Sequence, residues 1–120
     1  MKKENLILDK SFAFSLMAIE LYKKLIAVNE YVLSRQFLKA ATSIGVSVNE
    51  ASAAQSKADF ISKMAISSKK ARETEYWLLL LEKSDFINFD YTILLIEADE
   101  IVNILTAIVK TSQEKMLNCK

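Results

Sequence analysis

The sequence predicts an all-α fold, an up-down-up-down bundle of four helices. Three observations lead there. The chain of 120 residues holds no Pro and a single Gly, Gly45, too few turn residues for a sheet built on hairpins. Apolar residues recur at three- and four-residue spacing through four long segments. The polar connections between segments are short, and helices of about 20 to 27 residues, roughly 30–40 Å long, close most simply as an antiparallel bundle. A chain of this size forms one domain, residues 1–120, with its own core.

The first helix is expected to start near Asp9 or Ser11, both good N-caps. Phe14, Ala18, Leu21, Leu25 and Val28 share one face, and Ile19, Tyr22 and Ile26 widen it to roughly 200°, well beyond one buried stripe. Asn29-Glu30 reads as the connection. Lys2, Lys3 and the apolar run Ser11 to Ile19 resemble a signal peptide only superficially, because Asp9, Lys10 and Glu20 bracket the run.

The second helix is expected from about Tyr31 to Gln55. Its core stripe is Leu33, Phe37, Ala40, Ala41, Ile44, Val48 and Ala51. Thr42, Gly45 and Asn49 form a second, small face. A Gly inside a helix costs about 1 kcal/mol relative to Ala. Either another backbone approaches closely at Gly45, or the residue is tolerated on a wet face.

Ser56-Lys-Ala-Asp59 is a capping-box variant that opens the third helix. Phe60, Met64, Ser67 or Ser68, Ala71, Thr74 and Leu78 make its stripe. Glu75 falls among those core directions, so it needs partners or a wet edge. Thr42, Ser43, Asn49 and Ser68 are candidate donors to it, and Lys69, Lys70 and Arg72 are candidate charge partners. Tyr76, Trp77, Leu80 and Leu81 leave the stripe, so the helix end is apolar nearly all round. With Tyr22 and Gly45, these four are candidate packing or oligomer surface. Ser84 to Asp90 is the third connection. Asn88 or Asp90 caps the fourth helix, which carries Leu94, Ala98, Ile101, Leu105 and Ile108, with Leu95, Val102 and Val109 beside them, and runs to about Met116.

The chemistry legible here is sparse. His is absent, which removes the commonest general base and bundle metal ligand. Glu73, Glu75, Glu97 and Glu100 supply carboxylates, but nothing supplies imidazoles. No cofactor and no catalysis are expected. Asn49, Glu50, Glu73 and Glu75, with Thr42 and Ser43, read as structural polar contacts between helices or subunits. Lys69 with Glu73 reads as a helix-surface pair. No segment reaches the roughly 20 apolar residues of a membrane span. The lone Cys, Cys119, forms no intrachain disulfide, so a cytoplasmic protein is expected.

Charge is more informative than its total. Residues 1–72 hold 12 basic and 6 acidic side chains and residues 73–120 hold 4 and 9, so a net of +1 conceals halves of +6 and −5. In the antiparallel bundle, one end gathers Lys2, Lys3, Lys10, Lys57, Lys63, Lys110, Lys115 and Lys120. The other gathers Glu75, Glu82, Asp85, Asp90, Glu97, Asp99 and Glu100. The run Lys57, Lys63, Lys69, Lys70 and Arg72 is a candidate phosphate-binding surface. Its plain alternative is a solvated helix face.

Seven pieces of the chain carry a family resemblance: Ser11-Phe12, Leu21-Tyr22-Lys23, Gln36 to Lys39, Thr42 to Gly45, Asn49 to Ala51, Ser56 to Phe60 and Glu73 to Leu78. In that order and spacing they resemble the small bacterial four-helix-bundle proteins encoded in 23S rRNA intervening sequences, also labelled S23 ribosomal proteins. The chain departs from that pattern at Lys39, Val46-Ser47 and Ser67-Ser68. The resemblance implies a homopentameric ring and kinship with the accessory protein of diversity-generating retroelements, which associates with a reverse transcriptase and nucleic acid. It brings no enzymatic activity. The expected partners are therefore the chain itself and RNA or DNA. The alternative is a scaffold or adaptor that binds protein and no nucleic acid.

Overall fold

A computed structural model describes residues 2–118, with side chains from Asn5 onward. Among them are four helices and no strand: α1 (Lys2–Ile26), α2 (Leu33–Ser52), α3 (Lys57–Ser84) and α4 (Thr92–Asn118). Each helix packs on its two neighbours, and the diagonal pairs do not meet. This is the square antiparallel bundle, 55 Å long and 21 Å across. Lys120 and Cys119, and the side chains of Lys2 and Lys3, lie outside the described residues.

The apolar stripes meet along the axis. Phe14, Leu21 and Leu25 of α1 are buried with Phe37, Ile44 and Val48 of α2. Met64, Leu78 and Leu81 of α3 join Ile101 and Leu105 of α4 in the same core. Val28 leaves the first stripe, at 50% exposure, because α1 has already ended. Leu81, expected at a packing surface, is completely buried within its own bundle.

The helix ends differ from expectation for local reasons. Asp9 and Ser11 are interior to α1, which is already helical at Lys2. Ile7 sits seven residues before Phe14 on the same stripe and is buried, so burial carries the helix past both polar residues. The Ser11 hydroxyl instead donates to the Leu8 carbonyl at 3.2 Å. At α2, Val32 has no side chain that can cap. Glu30 does this work from the connection, its carboxylate accepting from the backbone amides of Val32, Leu33 and Ser34 at 3.2, 3.0 and 2.7 Å. Burial alone would raise the Glu30 pKa, and these amides outweigh it and hold it below the ordinary value. At α3 the Ser56 hydroxyl accepts from the Asp59 amide at 3.0 Å. Asp59 reaches back to the Gln55 amide, one residue before the cap, at 3.4 Å. Asp85 ends α3 in the left-handed region, its amide bonded to the Leu81 carbonyl. Asp90 accepts from the Thr92 amide at 3.0 Å as α4 begins.

Two of the side-chain contacts that bind helix to helix bear on the core and on the α1–α4 flank. Ser67 of α3 is fully buried and donates to the Ile44 carbonyl of α2 at 2.9 Å. Lys10 of α1 reaches Glu97 and Glu100 of α4, at 2.8 Å each. Both lie across the bundle from their partners in sequence, so no local pattern marks them. The hydrogen bonds to Glu100 and Glu97 raise the Lys10 pKa despite partial burial.

Gly45 is buried against α1. A methyl group in place of its hydrogen would sit 3.6 Å from Ser11 Oγ and 3.8 Å from the Ser11 carbonyl oxygen. That is ordinary contact, so one carbon fits and a branched side chain does not. Gly45→Ala is expected to be neutral or to stabilise by up to about 1 kcal/mol through helix propensity. Gly45→Leu is expected to destabilise by about 1–3 kcal/mol through overpacking. Thermal unfolding of the two variants checks both signs.

Candidate functional site

The basic run of α3 does not form one patch. Successive helix residues turn by about 100°, so two share a face only when they are three, four or seven positions apart. Lys63 and Lys70, seven apart, lie on the flank toward α2, and Lys63 meets Glu50 of α2 at 3.9 Å. Lys70 meets Glu73 at 3.5 Å. Arg72 points the other way and donates to Thr106 Oγ1 of α4 at 3.2 Å. Lys69 and Lys57 are exposed. Lys57 lies at the end of the bundle, where it shares a cavity rim with Lys115 of α4.

The two charged ends also separate less cleanly than the chain order implies. Lys10 belongs by position to the basic end, and Glu97 and Glu100 to the acidic end. Their contact sets one cation against two carboxylates along the side of the bundle, which removes Lys10 from the basic end. Among the described residues, what is left at the basic end is carried mostly by Lys57, Lys110 and Lys115, all exposed.

The polar residues of α2 turn inward on their own helix. Thr42 donates to the Leu38 carbonyl at 2.9 Å, Ser43 to Lys39 at 2.7 Å and Asn49 to Gly45 at 2.9 Å. None of them reaches Glu75. Glu50 does link α2 to α3 through Lys63. Glu73 accepts from the Trp77 indole at 3.0 Å, within α3. The Tyr76 and Trp77 rings meet edge to face, 5.5 Å apart. Tyr76 is 59% exposed. Trp77, Leu80 and Tyr22 are half-buried.

Glu75 is half-buried and accepts no hydrogen bond among the described residues. Burial raises its pKa above the ordinary 4.5, the neighbouring Asp99 carboxylate adds to the rise, and the Arg72 guanidinium opposes it. No group of three or more His, Cys, Asp or Glu side chains among the described residues is arranged to hold a metal ion. Nor is any helix there long and apolar enough to cross a membrane.

Sequence reasoning placed Lys57 and Lys115 at one end of the bundle but not the cavity between them, because that space forms only where α3's first turn and α4's last turns come together. It also missed the Lys10 contact. A signal for that existed in Glu97 and Glu100, whose three-residue spacing puts two carboxylates on one flank of α4.

The comparisons with known proteins agree on one family. The model of the family described as 23S rRNA-intervening sequence protein matches residues 3–107. The chain is also similar to a crystal structure of a protein with unknown function from the S23 ribosomal protein family of Bacteroides thetaiotaomicron VPI-5482. The two are 43% identical with a TM-score of 0.86, over 90% of this chain and 98% of that one. No curated protein matches.

A carboxyl with a raised folded pKa binds protons more tightly in the native state, so its ionisation costs stability as pH rises from the unfolded value through the folded one. Glu75→Gln is therefore expected to raise the melting temperature at pH 7, by the equivalent of less than about 1 kcal/mol for a group that solvent still partly screens. The gain should vanish below about pH 4, where the carboxyl is largely protonated in both states. Thermal melts of both proteins across that range check the sign.

Proposed function

The chain belongs to the 23S rRNA-intervening sequence protein family, and from that premise we propose a non-catalytic helical module that self-associates and binds RNA or DNA through the basic end of its bundle. The observation that carries this reading is the convergence of Lys57, at the first position of α3, and Lys115, in the last turn of α4, on one end. Phosphates need cations free to approach them. Those two side chains are exposed and meet no carboxylate among the described residues, whereas Lys10, Lys63 and Lys70 are engaged with carboxylates. The non-catalytic part rests on residue chemistry: without His, the chain has no imidazole to activate a nucleophile or carry a proton near neutral pH.

Self-association draws on surplus apolar surface. Phe12 of α1 is 66% exposed, Val46 of α2 57% and Ile93 of α4 63%. They stand on three different helices, so more than one flank of the bundle offers apolar surface that a second chain could cover. The family resemblance gives five as the expected number of chains. The same exposed residues favour a second reading, in which the module is a scaffold that docks protein and leaves nucleic acid alone.

Light scattering and RNA titration separate the readings. The expected outcome is a particle of about five chains' mass at micromolar concentration. Its affinity for a generic RNA should fall by orders of magnitude between about 50 and 200 mM salt if six or more phosphates are contacted. An assembly that binds neither RNA nor DNA at the lower salt establishes the scaffold reading instead. A single chain's mass removes self-association.

A further inference from the structure

One end of the bundle is not closed. A half-open cavity of about 440 Å³ lies where the beginning of α1, the α2–α3 connection and the last turns of α4 come together. Its inner wall is the end of the core, with Val48, Ala51 and Met64 buried and Phe60 half-buried. Its mouth is polar. Asn5, Ser52 and Ser112 stand around it on three different helices, and Lys57 and Lys115 flank it. Among the described residues, no carboxylate lines it.

That lining narrows the occupant. Cavities of about 300–1,000 Å³ hold small ligands or single groups of larger ones. A simple anion would satisfy the lysines and leave the apolar wall facing nothing. An aliphatic chain would cover the wall and make no use of the hydroxyls and the amide at the mouth. A nucleobase does both, since its faces are apolar and its edges carry donors and acceptors, and its backbone brings the phosphate. A base inside a duplex is stacked and paired on every side and cannot enter. We propose that this cavity takes one unpaired nucleotide of a single strand, its base against Phe60 and Leu8, in front of the buried Met64, and its phosphates against Lys57 and Lys115. The proposal rests on the nucleic-acid reading above and narrows it from a charged surface to single strands.

The test uses the full chain, a labelled oligoadenylate and a labelled RNA duplex of equal length, with binding followed by fluorescence anisotropy. Ser112→Phe and Ser52→Phe each put a ring into the mouth without altering charge. Either should weaken oligoadenylate binding by about tenfold, the loss of one stacked base, and leave duplex binding unchanged. Lys57→Gln with Lys115→Gln should weaken both. Unchanged oligoadenylate affinity in a filled variant that melts like the parent overturns the proposal. Adenosine monophosphate titrated into the unaltered protein gives a check independent of those variants. The Met64 methyl and Phe60 ring resonances should shift, and their constancy at millimolar nucleotide overturns the proposal too. Shifts with octanoate and none with the nucleotide assign the cavity to aliphatic acids and overturn it equally. Failure to bind either RNA removes the broader reading along with this one. Binding of both RNAs that ignores the filled mouth removes the cavity assignment alone.

Discussion

The bundle depends on how closely α2 and α3 approach. Ser67 donates a buried hydrogen bond to a carbonyl of the facing helix at 2.9 Å, which requires two backbones nearer than Leu or Phe side chains between them would allow. A buried hydroxyl left unpaired costs about 1–3 kcal/mol, so this bond is a constraint on register as much as a gain. Small residues make the approach possible. α2 buries Ala40, Ala41, Gly45, Ser47 and Ala51, and α3 buries Ala71 and Thr74 beside Ser67. Gly45 then admits α1 at Ser11 on another side of the same helix. α2 is therefore held close on two flanks, while its Phe37, Ile44 and Val48 fill the centre. α4 meets α1 least extensively, and there the link is the long reach of Lys10 to two carboxylates.

What the sequence made legible was whatever repeats along a helix. The stripes of α2 and α4 needed no knowledge of the partner helix, because burial on one face imposes the 3.6-residue period by itself. The Ser56 cap was equally legible, since donor and acceptor lie three residues apart. Polar residues inside helices were not. A hydroxyl or amide within a helix always has the carbonyl four residues back within reach, and Thr42, Ser43 and Asn49 all took it. Sequence position alone cannot separate that outcome from a contact to another helix. Asp9 and Ser11 misled for a related reason: they are good caps only where the apolar stripe stops, and Ile7 continues it. The basic run of α3 was contiguous in sequence and divided in space, because its spacings send Lys63 and Arg72 to opposite neighbours.

The polarity of the molecule has one source. In an antiparallel bundle each end presents two helix N-termini and two C-termini, so the helix dipoles largely cancel there. The potential at either tip is then set by side chains. Contacts along the flank consume part of that charge, as Lys10 does with Glu97 and Glu100. Lys57 is different in kind from the residues so consumed. It occupies the first position of α3, where the positive end of that helix's own dipole disfavours a cation by on the order of 0.3–1 kcal/mol. An acidic residue would stabilise α3 better at that position, and Asp59 already does so in the same turn. Lys57 works against the helix that carries it, and its local environment offers no compensating contact among the described residues. Lys115 faces the opposite balance, since the end of α4 favours a cation. The two share a cavity mouth although their helices reward them differently. The feature they have in common is the space they flank, and helix stability accounts for Lys115 at that mouth but not for Lys57.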